Sequence, residues 1–196
     1  MTDDLETQIR EYLQRCLREE EPLVALERVS VASASGAPPM FAGSNPWVWL
    51  GLTQARLIVY YEGGRTVSSH RLGSLDLLEL RAGMFKRRLL WRAPMAFDGE
   101  VAAVSKDFAN VAGPLVMDPS KWRPLREEHT TFVARVDPIS DPQLSAVASE
   151  FGLAAEHVNA YCVTCGGWCG QLENGAPQSK ECPACLRVVK GPAAGS

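Results

Sequence analysis

The sequence predicts a mainly β protein of the α+β kind, with helices before and after its strands and a small cysteine-rich module near its end. Three observations carry this expectation. From Pro22 onward, short runs rich in Val, Leu, Ile, Tyr and Trp alternate with turn residues, the signature of antiparallel strands. Residues 1–21 and 141–151 instead place apolar residues at helical spacing. Five of the six cysteines fall in one stretch, "YCVTCGGWCGQLENGAPQSKECPACLRVVKG".

Composition bounds the class. The chain has 196 residues, 46% hydrophobic and 22% charged, as in a soluble globular protein with one substantial core and a small satellite. A run of about 18 apolar residues, which a membrane-spanning helix requires, does not occur. The N-terminus "MTDDLETQIREYLQRCLREEE" is acidic and amphipathic, where a secretory signal has a basic start and an apolar centre. The expected location is cytoplasmic. In that compartment paired cysteines more often bind metal than form disulfides.

The first element is a helix over residues 1–21. Leu5, Ile9, Leu13 and Leu17 recur every four residues with Tyr12 and Cys16 beside them, which makes one apolar stripe. Asp3 followed by Glu6 fits its start. The stripe predicts packing on the helix's own domain, with an exposed partner-binding or self-associating helix as the alternative. The segment carries seven acids against three arginines, a net charge of −4.

The β region follows as "LVALERVSV", "PWVWLGLT", "ARLIVYYE", "RTVSSHRL", "LDLLEL", "RRLLWRA" and later "TTFVARV". Their lengths suit an antiparallel sheet or small barrel. Gly63-Gly64 reads as a hairpin turn, since both glycines adopt positive φ without strain. "SASGAPPMFAGSNP" reads as an exposed loop, because Pro38-Pro39 cannot sustain a central strand. Residues 98–128 show no strong period and read as an insertion or long connection. At Asp141-Pro142 a capping residue precedes a proline at the first helical position. Leu144, Val147, Ala148 and Phe151 then fall at i, i+3, i+4 and i+7, so the expected capping helix is residues 141–151.

The stretch "WLGLTQARLIVYYEGGRTVSSHRLGSLDLLELR", through Leu52-Thr53, Arg56-Leu57, Tyr60 and the run from His70 to Leu80, resembles bacterial pleckstrin-homology-like and GRAM-like domains. The resemblance covers residues 22–155, agrees best over 47–92 and fails over 98–127. It implies a strongly bent antiparallel barrel closed by a C-terminal helix. That fold hosts lipid binding, peptide binding and scaffolding alike. The expected organisation is an N-terminal helix over 1–21, a barrel domain with its capping helix over 22–155, a metal module over 160–190 and a disordered tail over 191–196.

Cys162 and Cys165 form one CxxC, Cys182 and Cys185 another, with sixteen residues between the pairs. This is zinc-site spacing. Two residues between cysteines let both sulfurs of a turn reach one ion, and two such turns complete a tetrahedron. The turns "CVTCGG" and "CPAC" resemble the knuckles of zinc-ribbon and rubredoxin-like modules, and rubredoxin-like iron sites usually separate their pairs further. The expected cofactor is therefore one structural Zn²⁺ per chain, held by Cys162, Cys165, Cys182 and Cys185. Cys169 is a fifth thiol, either unligated or a competitor of Cys165. A redox dithiol is disfavoured, because such motifs open a helix in a βαβ unit. Trp168, with Leu172 and Val188-Val189, reads as the small core of the module, a docking surface being the alternative.

Two surfaces remain. The run "RAGMFKRRLLWR" places Arg81, Lys86, Arg87, Arg88 and Arg92 together without an acid. It reads as a solvated strand face that discourages edge-to-edge pairing. Beside Met84 and Phe85 it also suits an anionic membrane or an acidic protein partner, including the acidic helix of a second copy. Nucleic acid is disfavoured, since residues 160–196 with four thiolates and one Zn²⁺ carry a net charge of −1 and phosphate contacts dominate such binding. A helix-turn-helix echo at Ala148, Gly152, Leu153 and Val158 fails the same test, because "AAEHVNAY" has no Lys or Arg.

His70, His129 and His157 are scattered, and the sequence holds no nucleophile motif or phosphate-binding loop of the P-loop type. No small-molecule substrate follows from it. The sequence predicts a non-enzymatic protein-interaction or assembly module, with peripheral anionic-lipid binding as the alternative and nucleic-acid regulation third.

Overall fold

A computed structural model describes residues 2–35, 47–63, 66–83, 86–138, 146–147, 149–151 and 156–194. The chain divides into two units, Met1–Arg126 and Glu127–Ser196.

The first unit opens with helix α1, Thr2–Cys16. Seven strands follow: β1 (Ala25–Ser33), β2 (Trp47–Leu52), β3 (Arg56–Tyr61), β4 (Thr66–Arg71), β5 (Leu77–Arg81), β6 (Arg87–Arg92) and β7 (Glu100–Val104). Helix α2, Lys106–Met117, comes next. The strands form one antiparallel sheet in the order β4-β3-β2-β1-β7-β6-β5.

The sheet curls round its core. Val29 and Val31 of β1, Leu50 of β2, Val59 of β3, Leu89 and Trp91 of β6, and Val104 of β7 share one buried cluster with Phe108, Ala112 and Leu115 of α2. The Tyr61 hydroxyl on β3 donates to the Glu100 carboxylate on β7 at 3.0 Å, although β2 and β1 lie between these strands in the sheet. Only a strongly bent sheet brings such strands together.

Strands β2 and β3 are buried on both faces. Val48, Leu50 and Leu52 face the main core, while Trp49 and Ile58 join Ile9 and Leu13 of α1 in a second cluster. Double coverage explains why "WVWLGL" and "RLIVYY" read as near-continuous apolar runs. The stripe on α1 is thus a packing face, with Ile9, Leu13 and Cys16 buried. Gly51 permits the close approach of helix to sheet, since a Cβ there would lie 3.1 Å from Leu23 Cδ1 and 3.6 Å from Leu13 Cδ1.

The helix that packs into this core is α2. Ser105 caps it, its Oγ accepting from the Phe108 N–H at 3.1 Å, and its own N–H donates to the Glu27 carboxylate at 3.0 Å. The stretch expected to be an insertion therefore holds both β7 and the cap. Its apolar face escaped notice because it is built largely from Ala109, Ala112 and Gly113, with Pro114 inside the helix. In the 141–151 segment residues 146–147 and 149–150 are helical, but Val147 and Phe151 are exposed. Leu144 and Ala148 of the proposed stripe, the Asp141-Pro142 start, Gly64, Pro38-Pro39 and the Met84-Phe85 tip lie outside the described residues.

The second unit is a five-stranded sheet in the order β11-β10-β9-β8-β12. Its strands are β8 (His129–Pro138), β9 (Glu156–Cys162), β10 (Trp168–Glu173), β11 (Ala176–Pro177) and β12 (Val188–Pro192). Here "TTFVARV", read as the last barrel strand, pairs along β9 with Phe132 opposite Cys162. Its alternation is that of a half-buried strand and does not reveal which sheet it joins. Val158 lies within β9, so the second helix of a helix-turn-helix is absent there. Lys190 to Pro192, at the edge of the expected tail, belong to β12.

Candidate metal centre

The four cysteines of the two CxxC turns converge. All four are buried, and their sulfurs lie within 4.8 Å of one another. Cys162 Sγ is 3.7 Å from Cys185 Sγ, and Cys165 Sγ is 3.5 Å from Cys182 Sγ. A tetrahedron of zinc–sulfur bonds near 2.3 Å has edges of about 3.8 Å, so the quartet has the dimensions of such a site.

Two turns of one shape build it. The Cys162 N–H donates to the Gly167 carbonyl at 2.8 Å and the Gly166 N–H to the Cys162 carbonyl at 2.8 Å. Twenty residues on, the Cys182 N–H donates to the Arg187 carbonyl at 2.9 Å and the Leu186 N–H to the Cys182 carbonyl at 2.8 Å. Each turn closes through a residue at positive φ, Gly166 at 73° and Leu186 at 58°.

Neighbouring groups serve the sulfurs. The Gly167 N–H donates to Cys165 Sγ at 3.3 Å, and Thr130 Oγ1 lies 3.3 Å from Cys162 Sγ. Arg187 places its positive charge beside Cys185, and its Nε donates to Glu128 Oε2 at 2.8 Å. Left to themselves, the thiols share protons unequally. Hydrogen bonds from Cys165, Cys182 and Cys185 hold the Cys162 thiol far below its ordinary range. The Cys162 sulfur in turn pushes Cys182 up to about 12 and raises Cys185 as well. A bound cation replaces these shared protons and satisfies four thiolates together.

Cys169 is buried, but its thiol donates to the Gly167 carbonyl at 3.6 Å and it stands outside the quartet. Trp168 is not core. It is 49% exposed, paired across the strands with Tyr161, and its indole N–H donates to Asn159 Oδ1 at 3.0 Å. Indole is amphipathic, and one hydrogen bond lets its ring stay at the surface. Asn159 Nδ2 and the Tyr161 hydroxyl both donate to Asp137 Oδ2, at 2.8 and 2.6 Å, so the pair of rings is held by a polar chain. These hydrogen bonds, Tyr161's above all, hold the Asp137 carboxyl below its usual value.

Arg81, Arg87, Arg88 and Arg92 lie on β5 and β6, at one edge of the first sheet, and Lys86 immediately precedes β6. Arg81 and Arg88 are direct cross-strand partners. Arg81 pairs with Glu79 at 2.6 Å and Arg92 with Asp76 at 3.8 Å, while Lys86, Arg87 and Arg88 are exposed. Leu89, Leu90 and Trp91 are buried, and Arg87, Arg88 and Arg92 are the exposed side chains of β6.

A further polar centre carries a motif read from the sequence only as a resemblance. Arg56 is wholly buried; its Nε donates to Glu21 Oε1 and its Nη2 to the Cys16 carbonyl, both at 2.7 Å. Thr53 Oγ1 donates to the same Glu21 oxygen at 2.7 Å and accepts from the N–H groups of Ala55 and Arg56 at 3.0 Å. The Leu-Thr-x-x-Arg-Leu stretch is therefore a hairpin whose Thr and Arg grip the segment leaving α1. Nothing in the run Glu19-Glu20-Glu21 distinguishes its third member, so the sequence carried no signal for this pair.

No family model matches the sequence, and no curated protein matches it. Among solved structures, the Vps36 N-terminal PH domain is similar at 14% identity and a TM-score of 0.38, over 51% of this chain and 80% of that one. A structure of the PH and C1 domains of the Vav1 exchange factor is similar at 13% identity and a TM-score of 0.35, over 97% of this chain and 49% of that one. Vav1 with an allosteric inhibitor gives 10% identity and a TM-score of 0.35, over 97% and 50%. The chain spans about half the length of the Vav1 chains it matches. At these scores the similarities assign neither a family nor a function.

Proposed function

We propose that the chain is a non-enzymatic interaction and assembly module whose C-terminal unit is organised by one structural zinc ion. The observation that carries this reading is the buried quartet of Cys162, Cys165, Cys182 and Cys185, whose sulfurs lie within 4.8 Å of one another. Four sulfurs fill a tetrahedral shell and leave no position for water or substrate, which is the chemistry of a structural and not a catalytic zinc. The ion substitutes for a large core in a unit of this size. An interaction role is supported by apolar side chains left at the surface of the same unit: Val136 and Val158, which are cross-strand partners, and Val163 and Trp168. Val136 and Val158 lie together on one face of the β8–β9 pair, while Trp168, opposite Tyr161, lies on the other; adjacent exposed apolar groups are a usual mark of a protein-docking face.

Elemental analysis after purification without chelators should find about one zinc per chain, lost in the Cys182→Ser, Cys185→Ser double variant. A metal-free folded protein, or a double variant that keeps the metal, overturns the assignment. Affinity purification from the native host, with Trp168→Ala as the control, tests the interaction; a partner retained equally by both chains argues against the face that carries Trp168.

A second reading, peripheral attachment to anionic lipid, has one observation in its favour. Arg81 and Arg88 face each other across β5 and β6, a like-charge pairing that costs stability unless an anion screens it. Flotation with anionic vesicles that is absent with neutral ones supports this reading, and absence with both removes it.

A further inference from the structure

Residues directly opposite each other in antiparallel strands share a face of the sheet. Val133, Tyr161 and Trp168 therefore form one row across β8, β9 and β10, with Arg135 and Asn159 in the next. We propose that this face binds a proline-rich, basic segment of a partner protein in the extended polyproline conformation. The proposal rests on reading the second unit as an interaction module and names the ligand of its Trp168 face.

The hydrogen bonds are the first argument. Trp168 is 49% exposed, yet its indole N–H donates to Asn159 Oδ1 at 3.0 Å. The Asn159 amide and the Tyr161 hydroxyl both donate to Asp137 Oδ2, at 2.8 and 2.6 Å. The polar groups beside the rings are paired with one another, so the face offers a ligand ring surface held in place. Proline matches it, because its ring is apolar and its nitrogen carries no N–H that needs an acceptor. A sugar stacking on the same indole would bring hydroxyls that require partners. Rings already fixed also lower the entropic cost of binding.

Arg135 supplies the donors that a polyproline backbone lacks. Its guanidinium lies over the Tyr161 ring, 5.1 Å from the centroid, and stacking leaves the in-plane N–H groups for carbonyl oxygens. A polyproline helix has no internal hydrogen bonds, so its carbonyls are open to such donors. The spacing agrees. Strands β8 and β10 flank β9 and so lie about 9.5 Å apart at the usual strand separation, while one three-residue turn of polyproline advances about 9.3 Å. A proline on Trp168 thus brings the backbone one turn further along to Arg135.

Charge decides among ligands that stack on rings. Residues 127–196 contain eight acids and four bases, which repels the phosphates of a nucleic acid and attracts lysines or arginines beside the prolines. A methylated ammonium needs open aromatic faces, and the Tyr161 ring already carries the Arg135 cation.

The test uses the full chain purified without chelators. A hexaproline peptide flanked by lysines should shift the Trp168 indole N–H resonance saturably in NMR. By anisotropy of labelled peptides, alanines in place of the prolines should weaken binding about tenfold, and glutamates in place of the lysines about threefold. Trp168→Ala should lose about tenfold and Arg135→Gln about threefold in affinity for the proline peptide. Both side chains are exposed, and unchanged metal content shows that each variant keeps its fold. No saturable binding of the proline peptide, equal binding of the alanine peptide, unaffected variants, or tighter binding of an oligouridylate overturns the proposal. Capture of a host protein that depends on Trp168 while the proline peptide does not bind overturns the proline ligand alone and leaves the interaction reading standing. Peptide failure together with capture independent of Trp168 removes both.

Discussion

Gly166 and Leu186 hold the same place in two turns of one shape, each donating its N–H to the carbonyl of the cysteine four residues before it at 2.8 Å. Both sit at positive φ, but only one of them is glycine. A non-glycine residue there costs about 1 kcal/mol, and Leu186 offsets that cost by being buried, at 8% exposure, which is worth about 2 kcal/mol for a leucine.

Adjacent glycines in the first turn should therefore respond differently to alanine. At Gly166 a Cβ meets nothing within 4 Å, so Gly166→Ala should cost about 1 kcal/mol of backbone strain and leave metal affinity within about threefold. At Gly167 a Cβ would lie 2.9 Å from Ala184 Cβ, 3.1 Å from Cys165 Sγ and 3.2 Å from Cys182 Sγ. Gly167→Ala should push the two turns apart and weaken zinc binding at least tenfold in a chelator competition, as displacement of groups that orient ligands does. Equal losses for the two variants would show that the turns are held by their backbones alone.

The buried Arg56–Glu21 pair makes a second prediction. Glu21→Ala leaves the guanidinium without its carboxylate and should destabilise the first unit by about 3–5 kcal/mol. Thr53→Val strands the N–H groups of Ala55 and Arg56, each of which now donates to Thr53 Oγ1 at 3.0 Å, and should cost about 2 kcal/mol or more. Chemical denaturation followed by tryptophan fluorescence reads the result, since Trp47, Trp49, Trp91 and Trp122 all lie in this unit. A change below about 1 kcal/mol for Glu21→Ala would mean that the pair is solvated in solution.

How far the sequence revealed these features depended on the physical signal each one carries. The convergence of the four cysteines was legible because sulfur chemistry ties ligand type and spacing together. Strands β2 and β3 were legible from their apolar runs, and α1 from its stripe. Helix α2 was not, because Ala109, Ala112 and Gly113 bury little area and contribute weakly to any apolar period, although Ser105 was available as its cap. The 141–151 segment has a good apolar period, yet Val147 and Phe151 face solvent; periodicity reports that a face exists and not what covers it. Trp168 was misplaced for a related reason, since its size suggested burial whereas its indole N–H is served at the surface by Asn159.

The basic strand should be dispensable for folding. Arg87 and Arg88 are exposed, so Arg87→Glu with Arg88→Glu should change stability by less than about 1 kcal/mol. Placing an acid opposite Arg81 also replaces a repulsive cross-strand pair with an attractive one. Vesicle flotation lost in this folded variant would assign anionic-lipid binding to the strand, whereas flotation equal to the parent chain would exclude it. Unchanged stability without any flotation would leave the arginines as protection against edge-to-edge pairing.

Tyr61 and Glu100 supply a pH test of the curled sheet. Burial raises the Glu100 carboxyl above its ordinary value of 4.5, and the Tyr61 hydrogen bond moderates the rise. Burial together with the Glu100 charge raises the Tyr61 phenol, which stays protonated and donating. A carboxyl whose folded pKa lies above its unfolded one binds more protons in the native state. Its stabilising contribution is full below pH 4.5 and is lost as pH rises through the folded pKa. Glu100→Gln keeps an acceptor for Tyr61 and removes this titration. The Tm of the variant minus that of the parent chain should therefore grow more positive as pH is raised from below 4.5 to 7. Tyr61→Phe removes the moderating donor and should steepen the loss of stability over the same window. A Tm difference independent of pH would place Glu100 in water, and the contact between β3 and β7 across the interior would then not persist in solution.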